Sequence, residues 1–161
     1  MLFAFSGLPG VGKTTVARAL IRATGAAYLR IDAIERPMQR AGFQIDGWGY
    51  EIAHAVAEEN LRLGNIVVAD CVNPWPLTRD DWRAVAERAQ VPIVEVEVVC
   101  TDAVEHRRRV ESRLADISGQ KLPTWAEVAN RDYVPWNRDR VVVDTARSTI
   151  DDCIHTIRAT R

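Results

Sequence analysis

A chain of 161 residues, 47% hydrophobic and 27% charged, suits one domain of the usual size, about 100 to 200 residues, and excludes a disordered or collagenous protein. No apolar run nears the roughly 18 residues that a membrane span needs. A net charge of -1 supplies no global attraction for nucleic acid, so any anionic ligand has to be held by locally clustered cations.

In chain order, Leu2 to Phe5 reads as a first strand. The stretch "MLFAFSG" around it has neither the charged n-region nor the cleavage site of a secretory signal, and a cytoplasmic location is expected. A helical pattern over Lys13 to Thr24 ends at Gly25, a residue suited to a left-handed cap. A second strand, 26 to 31, leads to Asp32, and Pro37 is expected to interrupt any helix begun there within one turn. Further on come a helix over Tyr50 to Leu63 stopped by Gly64, a strand at 66 to 69 and a helix over Asp80 to Ala89. The strand at 92 to 99 alternates Glu95 and Glu97 with valines, so one of its faces is expected to reach solvent. A helix over Asp102 to Leu114, a capping box at Thr124 to Glu127, a strand at 141 to 144 and a helix over Ser148 to Ala159 complete the chain. Strand and helix alternate throughout, which predicts a single α/β domain over 1–161 with a parallel sheet covered on both faces. Cys71, Cys100 and Cys153 are odd in number and widely spaced, the pattern of buried free thiols.

The stretch "GLPGVGKTT" lies between the first strand and the first helix. Gly7, Gly12, Lys13 and Thr14 match the phosphate-binding loop Gly-x-x-x-x-Gly-Lys-Thr. Glycines let successive N–H groups point inward, the helix terminus adds partial positive charge, Lys13 reaches the β and γ phosphates, and the Thr14 hydroxyl meets magnesium. Gly10, Val11 and Thr15 complete the expected nucleoside triphosphate cradle.

A second magnesium group is offered by Asp70, which ends the apolar run "NIVVAD"; the alternative is a turn residue bonding local backbone together with Asn73. Asp32, at the end of the second strand, suits a general base for an attacking hydroxyl and equally suits a helix cap paired with Glu35. In "EHRRRVESR" the residues Arg109 and Arg113 are four apart and share a helix face, which points either to charge neutralisation during transfer or to a solvated face with Glu105 against Arg109. Trp48 and Tyr50, in the glycine-rich stretch 40 to 51, either stack on a flat ligand or pack their own loop, and Trp75 has the same two readings.

Together these residues resemble the small P-loop kinases: the adenylylsulfate kinase, gluconate kinase and chloramphenicol phosphotransferase group, and the polynucleotide 5'-hydroxyl kinase domains. The resemblance implies a five-stranded parallel sheet in order 2-3-1-4-5 and an ATP- and Mg2+-dependent transfer to a hydroxyl of a small molecule or nucleotide. It makes Lys13, Asp32, Arg109 and Arg113 catalytic and sets Thr14 and Asp70 on the metal. A short lid is expected over about 107 to 123, with Arg107 or Arg108 against the adenine and Asp32, Arg36, Trp48 and Asn73 near the acceptor. The Asp-x-x-Arg spacing of the polynucleotide kinases is not met, since Glu35 stands where their arginine would be and Arg36 follows it. A monomer or homodimer is expected. The other readings are a polynucleotide or other macromolecule kinase, and a nucleotide-gated binding protein or NTPase switch. A GTPase would carry Asn-Lys-x-Asp, which the chain lacks.

Overall fold

The computed structural model describes residues 1–160. Its strands are β1 (Leu2–Ser6), β2 (Ala27–Arg30), β3 (Val67–Asp70), β4 (Ile93–Val99) and β5 (Val141–Asp144). The helices are α1 (Lys13–Thr24), α2 (Ile31–Arg40), α3 (Trp48–Arg62), α4 (Pro76–Arg88), α5 (Ala103–Ser112), α6 (Trp125–Ala129) and α7 (Ile150–Ala159). All strand pairs are parallel, in the order β2-β3-β1-β4-β5, as the resemblance implied. Among the described residues no helix is long and apolar enough to cross a membrane.

The central strand β1 is buried along its whole length and its side chains feed two cores. On one face Phe3 and Phe5 meet Val16, Ala17 and Leu20 of α1 and Cys153 and Ile157 of α7. On the other, Leu2 and Ala4 meet Ala53, Ala57 and Leu61 of α3 and Trp82 and Val85 of α4. The chain therefore leaves β1 toward one face of the sheet and leaves neighbouring β3 toward the other. Such a divergence opens a crevice at the carboxyl ends of the two strands, where ligands bind in open parallel sheets. Register brings Phe5 beside Asp70, and Arg30 beside Asp70 on the other side, so three chain segments converge there.

Two expectations change. Pro37 does not interrupt α2, which runs on to Arg40. Pro37 and Ala33 both lie on the exposed side, so the carbonyl that loses its N–H partner faces water and only one helical bond is forfeited. Ile31 meanwhile anchors the helix in the core. The glutamate face of β4 does not reach solvent either: Glu95 and Glu97 are buried, on an interior strand between β1 and β5. Arg138 Nε donates to Glu95 at 2.9 Å, Arg83 donates to the same carboxylate at 3.3 Å, and Arg140 and Tyr133 donate to Glu97 at 2.9 and 3.2 Å. Paired and hydrogen-bonded charges can be buried where isolated ones cannot.

The segment that covers this face is itself fixed by Arg79 of α4, 2% exposed. Its guanidinium donates to the carbonyls of Asn73 (2.9 Å), Pro74 (3.2 Å) and Val134 (2.7 Å) and lies 4.3 Å from the centre of the Trp136 ring. The loop after β3 and the residues around 134 are thereby tied together at the edge of the crevice. All three cysteines are free and buried.

Candidate active site

Gly7, Gly10 and Gly12 have φ of +137°, +86° and +99°, backbone conformations that only glycine adopts without strain. The loop they shape curls over the amino end of α1, whose cap, Gly12, offers no side-chain acceptor. The first N–H groups of α1 are thus left open toward the crevice, the arrangement that receives phosphate. From behind, His106 Nε2 lies 2.8 Å from the Pro9 carbonyl and fixes the loop on α5.

Lys13 is buried, and its ammonium donates to the Leu8 carbonyl at 2.9 Å. Burial pushes its pKa below the ordinary lysine range, while the carboxylates of Asp70 and Asp32 pull it back up. Thr14 Oγ1 donates to Asp70 Oδ2 at 2.7 Å, and the Tyr28 hydroxyl donates to the same oxygen at 2.7 Å. Among the described residues no hydrogen bond reaches Asp70 Oδ1. The Thr14 hydroxyl and this carboxylate form an oxygen-only donor pair, which suits a hard dication that keeps waters and phosphate oxygens in its shell. Asp70 makes the Thr14 and Tyr28 contacts in preference to the local turn, whose Asn73 and Pro74 carbonyls are bonded by Arg79.

Asp32 is the second residue of α2 and does not cap it, because the cap position belongs to Arg30 and carries no side-chain bond. Its carboxylate is half-exposed toward the crevice and accepts from Arg30 at 3.3 Å and from Gln120 at 3.0 Å. The irregular stretch after α5 lies across this carboxylate. Asp116 takes Arg30 at 2.7 Å and Arg18 at 2.8 Å, which holds its carboxyl down at about 2, chiefly through the Arg30 hydrogen bond. Arg36 Nε donates to the Ser118 carbonyl at 3.3 Å. Of the stretch expected to form a lid, 107 to 112 are helical and the chain is irregular from Arg113 onward.

Arg109 is held between Glu105 (2.7 Å) and Thr145, whose hydroxyl and carbonyl it reaches at 2.7 and 3.1 Å. Thr145 in turn donates to the Val11 carbonyl at 2.7 Å, which joins Arg109 to the phosphate loop. Arg113 has left the helix with extended backbone, and its Nε is buried without a partner. A cleft of about 820 Å³ brings together Gly10, Gly12, Lys13, Thr14, Thr15, Asp32, Asp70, Arg109 and Arg113. Other predicted residues stay outside it. Arg108 is bound to Glu105 and Arg107 to Glu111 on the exposed side of α5, Trp48 is 58% exposed, and Arg36 pins the lid. Asn73 is buried, its side-chain amide donating to the Phe5 carbonyl at 2.9 Å. The cleft adds Glu35, Tyr50, Trp75, Lys121 and Arg131, of which only Tyr50 and Trp75 carry a signal visible in sequence, their flat rings beside loop residues.

The AAA_33 family model, described as an AAA domain, matches residues 2–131. The chain belongs to the AAA_33 family. No curated protein matches it in sequence. Among solved structures, a candidate kinase from Chloroflexus aurantiacus is similar with a TM-score of 0.73 and 19% identity over 99% of this chain and 94% of that one. A gluconokinase from Sinorhizobium meliloti gives 0.64 and 20% over 98% and 89%. The APS kinase CysC of Mycobacterium tuberculosis, in complex with AMPPNP and APS, gives 0.61 and 20% over 98% and 95%. At these identities the likeness is one of fold, and this AAA_33 chain has the fold of the P-loop kinases.

Proposed function

We propose that this AAA_33 protein is an ATP- and magnesium-dependent phosphotransferase with a hydroxyl acceptor. One observation carries the reading: Lys13 and the hydrogen-bonded pair Thr14 and Asp70 lie in the same cleft as the half-exposed Asp32 carboxylate. A phosphate cradle alone would serve a switch or a motor. A half-exposed carboxylate in the same cleft, open to the crevice beside the bonds it takes from Arg30 and Gln120, is what an attacking hydroxyl requires.

In this reading the open amides of α1 and Lys13 hold the β and γ phosphates, and Thr14 with Asp70 holds magnesium. Magnesium, if bound there, would neutralise charge on the β and γ phosphates. Asp32 accepts the acceptor's hydroxyl proton while the hydroxyl oxygen bonds to the γ phosphorus, the bond from that phosphorus to the β-bridging oxygen breaks, and ADP departs. Arg109 and Arg113 stabilise the charge that spreads over the transferring group. Trp48, Asn73, Arg36 and Arg108 take no part. An APS kinase of the same fold accommodating AMPPNP supports the nucleotide end of this scheme.

The test is transfer of the γ-phosphate from ATP with magnesium to pooled acceptors: sugar acids, nucleosides and nucleotides, hydroxylated antibiotics and 5'-hydroxyl oligonucleotides. Phosphate is expected on one pool, and Lys13→Ala is expected to abolish its appearance. ATP that binds but never transfers to any pool would overturn the reading in favour of a nucleotide-gated binding protein.

A further inference from the structure

Six cationic side chains line the cleft: Lys13, Arg30, Arg109, Arg113, Lys121 and Arg131. Three of them are committed. Lys13 belongs to the phosphate loop, Arg30 is held by Asp116 and Asp32, and Arg109 by Glu105 and Thr145. Arg113, Lys121 and Arg131 make no ion pair and no side-chain hydrogen bond among the described residues. Arg113 lies toward the phosphate loop, close enough for its charge to lower the proton affinity of Lys13. Lys121 and Arg131 belong to the opposite end, where the electrostatic neighbours of Arg131 are Glu35 and Tyr50 and that of Lys121 is Glu127.

The carboxylates at that end form no direct ion pair with them among the described residues. Asp132, next to Arg131 in sequence, accepts from the Trp75 indole at 2.8 Å. Glu127 is engaged by the Thr124 backbone and hydroxyl in a capping box. Glu35 is pressed against α3 at Gly49, where a Cβ would lie 2.3 Å from its Cγ and 2.6 Å from its Oε1. Only glycine admits the side chain so closely, and in that seat Glu35 stops short of an ion pair with Arg131. The far end of the cleft therefore offers two cations without partners beside two carboxylates, Asp32 and Glu35, that accept hydroxyl protons.

We infer that the phosphate acceptor is a small hydroxylated anion: its carboxylate or phosphate group is bound by Arg131 and Lys121, Glu35 accepts from one of its hydroxyls, and its reacting hydroxyl faces Asp32. The inference rests on the phosphotransferase reading for the identity of the ligand as acceptor, while the anion site itself stands on the unpartnered cations. A neutral acceptor would leave both exposed cations to water, whereas an anion of cleft size meets them directly, and a net charge of -1 adds no global attraction for a long polyanion.

Matched pairs test this: glucuronate against glucose, glycerol 3-phosphate against glycerol, and adenosine 5'-monophosphate against adenosine. Each compound is titrated calorimetrically into the protein saturated with magnesium and a non-hydrolysable ATP analogue, and each is also assayed as acceptor with ATP. The charged member of at least one pair is expected to bind about tenfold or more tightly than its neutral partner, the weight of one or two charge-assisted hydrogen bonds. Arg131→Gln should erase that difference, Arg131→Lys should restore part of it, and affinity for the ATP analogue serves as the control for folding in both. The carboxylate, sugar phosphate and nucleotide arms tell the three sources apart. Selective anion binding without transfer would uphold the site and refute the phosphotransferase reading. Transfer to neutral members as readily as to charged ones, or binding indifferent to Arg131, would overturn the inference and leave that reading intact.

Discussion

Asp32→Asn separates a base from a latch, because the same carboxylate that faces the cleft also receives Gln120 of the lid at 3.0 Å and Arg30 at 3.3 Å. A positioned general base accelerates proton transfer by about 10²- to 10⁴-fold, which corresponds to about 3 to 5 kcal/mol of barrier. The latch contributes far less. Asparagine still presents an oxygen to Gln120, and a half-exposed ion pair such as Arg30 with Asp32 is worth under about 1 kcal/mol. Nucleotide binding should move in the opposite direction from turnover: removing this negative charge lessens repulsion of the phosphates beside Lys13, so affinity holds or tightens. We expect the single-turnover rate of γ-phosphate transfer to fall by about a hundredfold or more, with the affinity for an ATP analogue at least native. Gln120→Ala, which breaks the latch and spares the carboxylate, should cost far less turnover. A transfer rate for Asp32→Asn within about threefold of native would refute the assignment of the base and leave Asp32 as a lid contact.

Three further outcomes follow from single contacts. Gly7→Ala sets a Cβ 2.3 Å from the Val98 carbonyl oxygen at φ +137°, so backbone strain and displacement of β4 should together cost about 3 kcal/mol or more and lower the melting temperature by about 6 to 12 °C; Gly25→Ala, at φ +70° with nothing within 4 Å, should cost only about 1 kcal/mol. Tyr28→Phe removes one of the two hydroxyls that orient Asp70 Oδ2; the magnesium concentration for half-maximal analogue binding should rise about fivefold, and an unchanged magnesium titration would mean that Thr14 alone orients the carboxylate. The Asp116 carboxyl is depressed from 3.8 to about 2, so its contribution to stability is fully present above its unfolded value and is lost as pH falls through the folded one. Denaturation of Asp116→Asn beside the native protein should accordingly show a stability difference that closes between about pH 4 and pH 2, and a gap that does not vary with pH would show that the lid is held by other contacts.

The nucleotide end of the cleft was legible because its signals are local. A strand, a glycine loop and a helix follow one another within Leu2–Thr24, and Asp70 ends an apolar run whose register against β1 is dictated by the sheet. Helical periodicity put Arg109 and Arg113 on one helix face, whereas Arg113 has left α5 and reaches the cleft from extended backbone; nor could periodicity say which side of α5 turns inward. That depends on Thr145, 36 residues further on, and it leaves Arg108 on the outside with Glu105. The β4 glutamates show the same limit. Alternation marks one face of the strand as polar, yet whether water or arginine covers it is decided by Arg138 and Arg140, 43 residues away. In α2 the rule that proline ends a helix yields to burial of Ile31 and to water at the Ala33 carbonyl, neither of which is written in the dipeptide Arg36–Pro37.

This division follows from how the fold assembles the cleft. The phosphate loop, Asp32 and Asp70 come from the carboxyl ends of β1, β2 and β3, where topology alone forces a loop, a helix start and two aspartates to meet, while Arg109 and Arg113 reach the cleft from α5 and its end. The strand-end residues announce themselves through that position. Those assigned to acceptor recognition, Lys121 and Arg131, flank the short helix α6 in otherwise irregular chain after α5, held by the Asp116 ion pairs on one side and by the Arg79 clasp on Val134 on the other. Nothing in the periodicity of that segment reports where it lies, since its position is set by charges and rings contributed from α1, β2 and α4. On the proposed reading, a dozen consecutive residues declare the phosphate donor, while the acceptor end depends on contacts that Asp32, Arg30 and Arg36 make with residues 116 to 120, more than 80 positions away. If the proposed acceptor site holds, redirecting the protein to a new acceptor should require changes at Lys121, Arg131 and Glu35, and none in the phosphate loop.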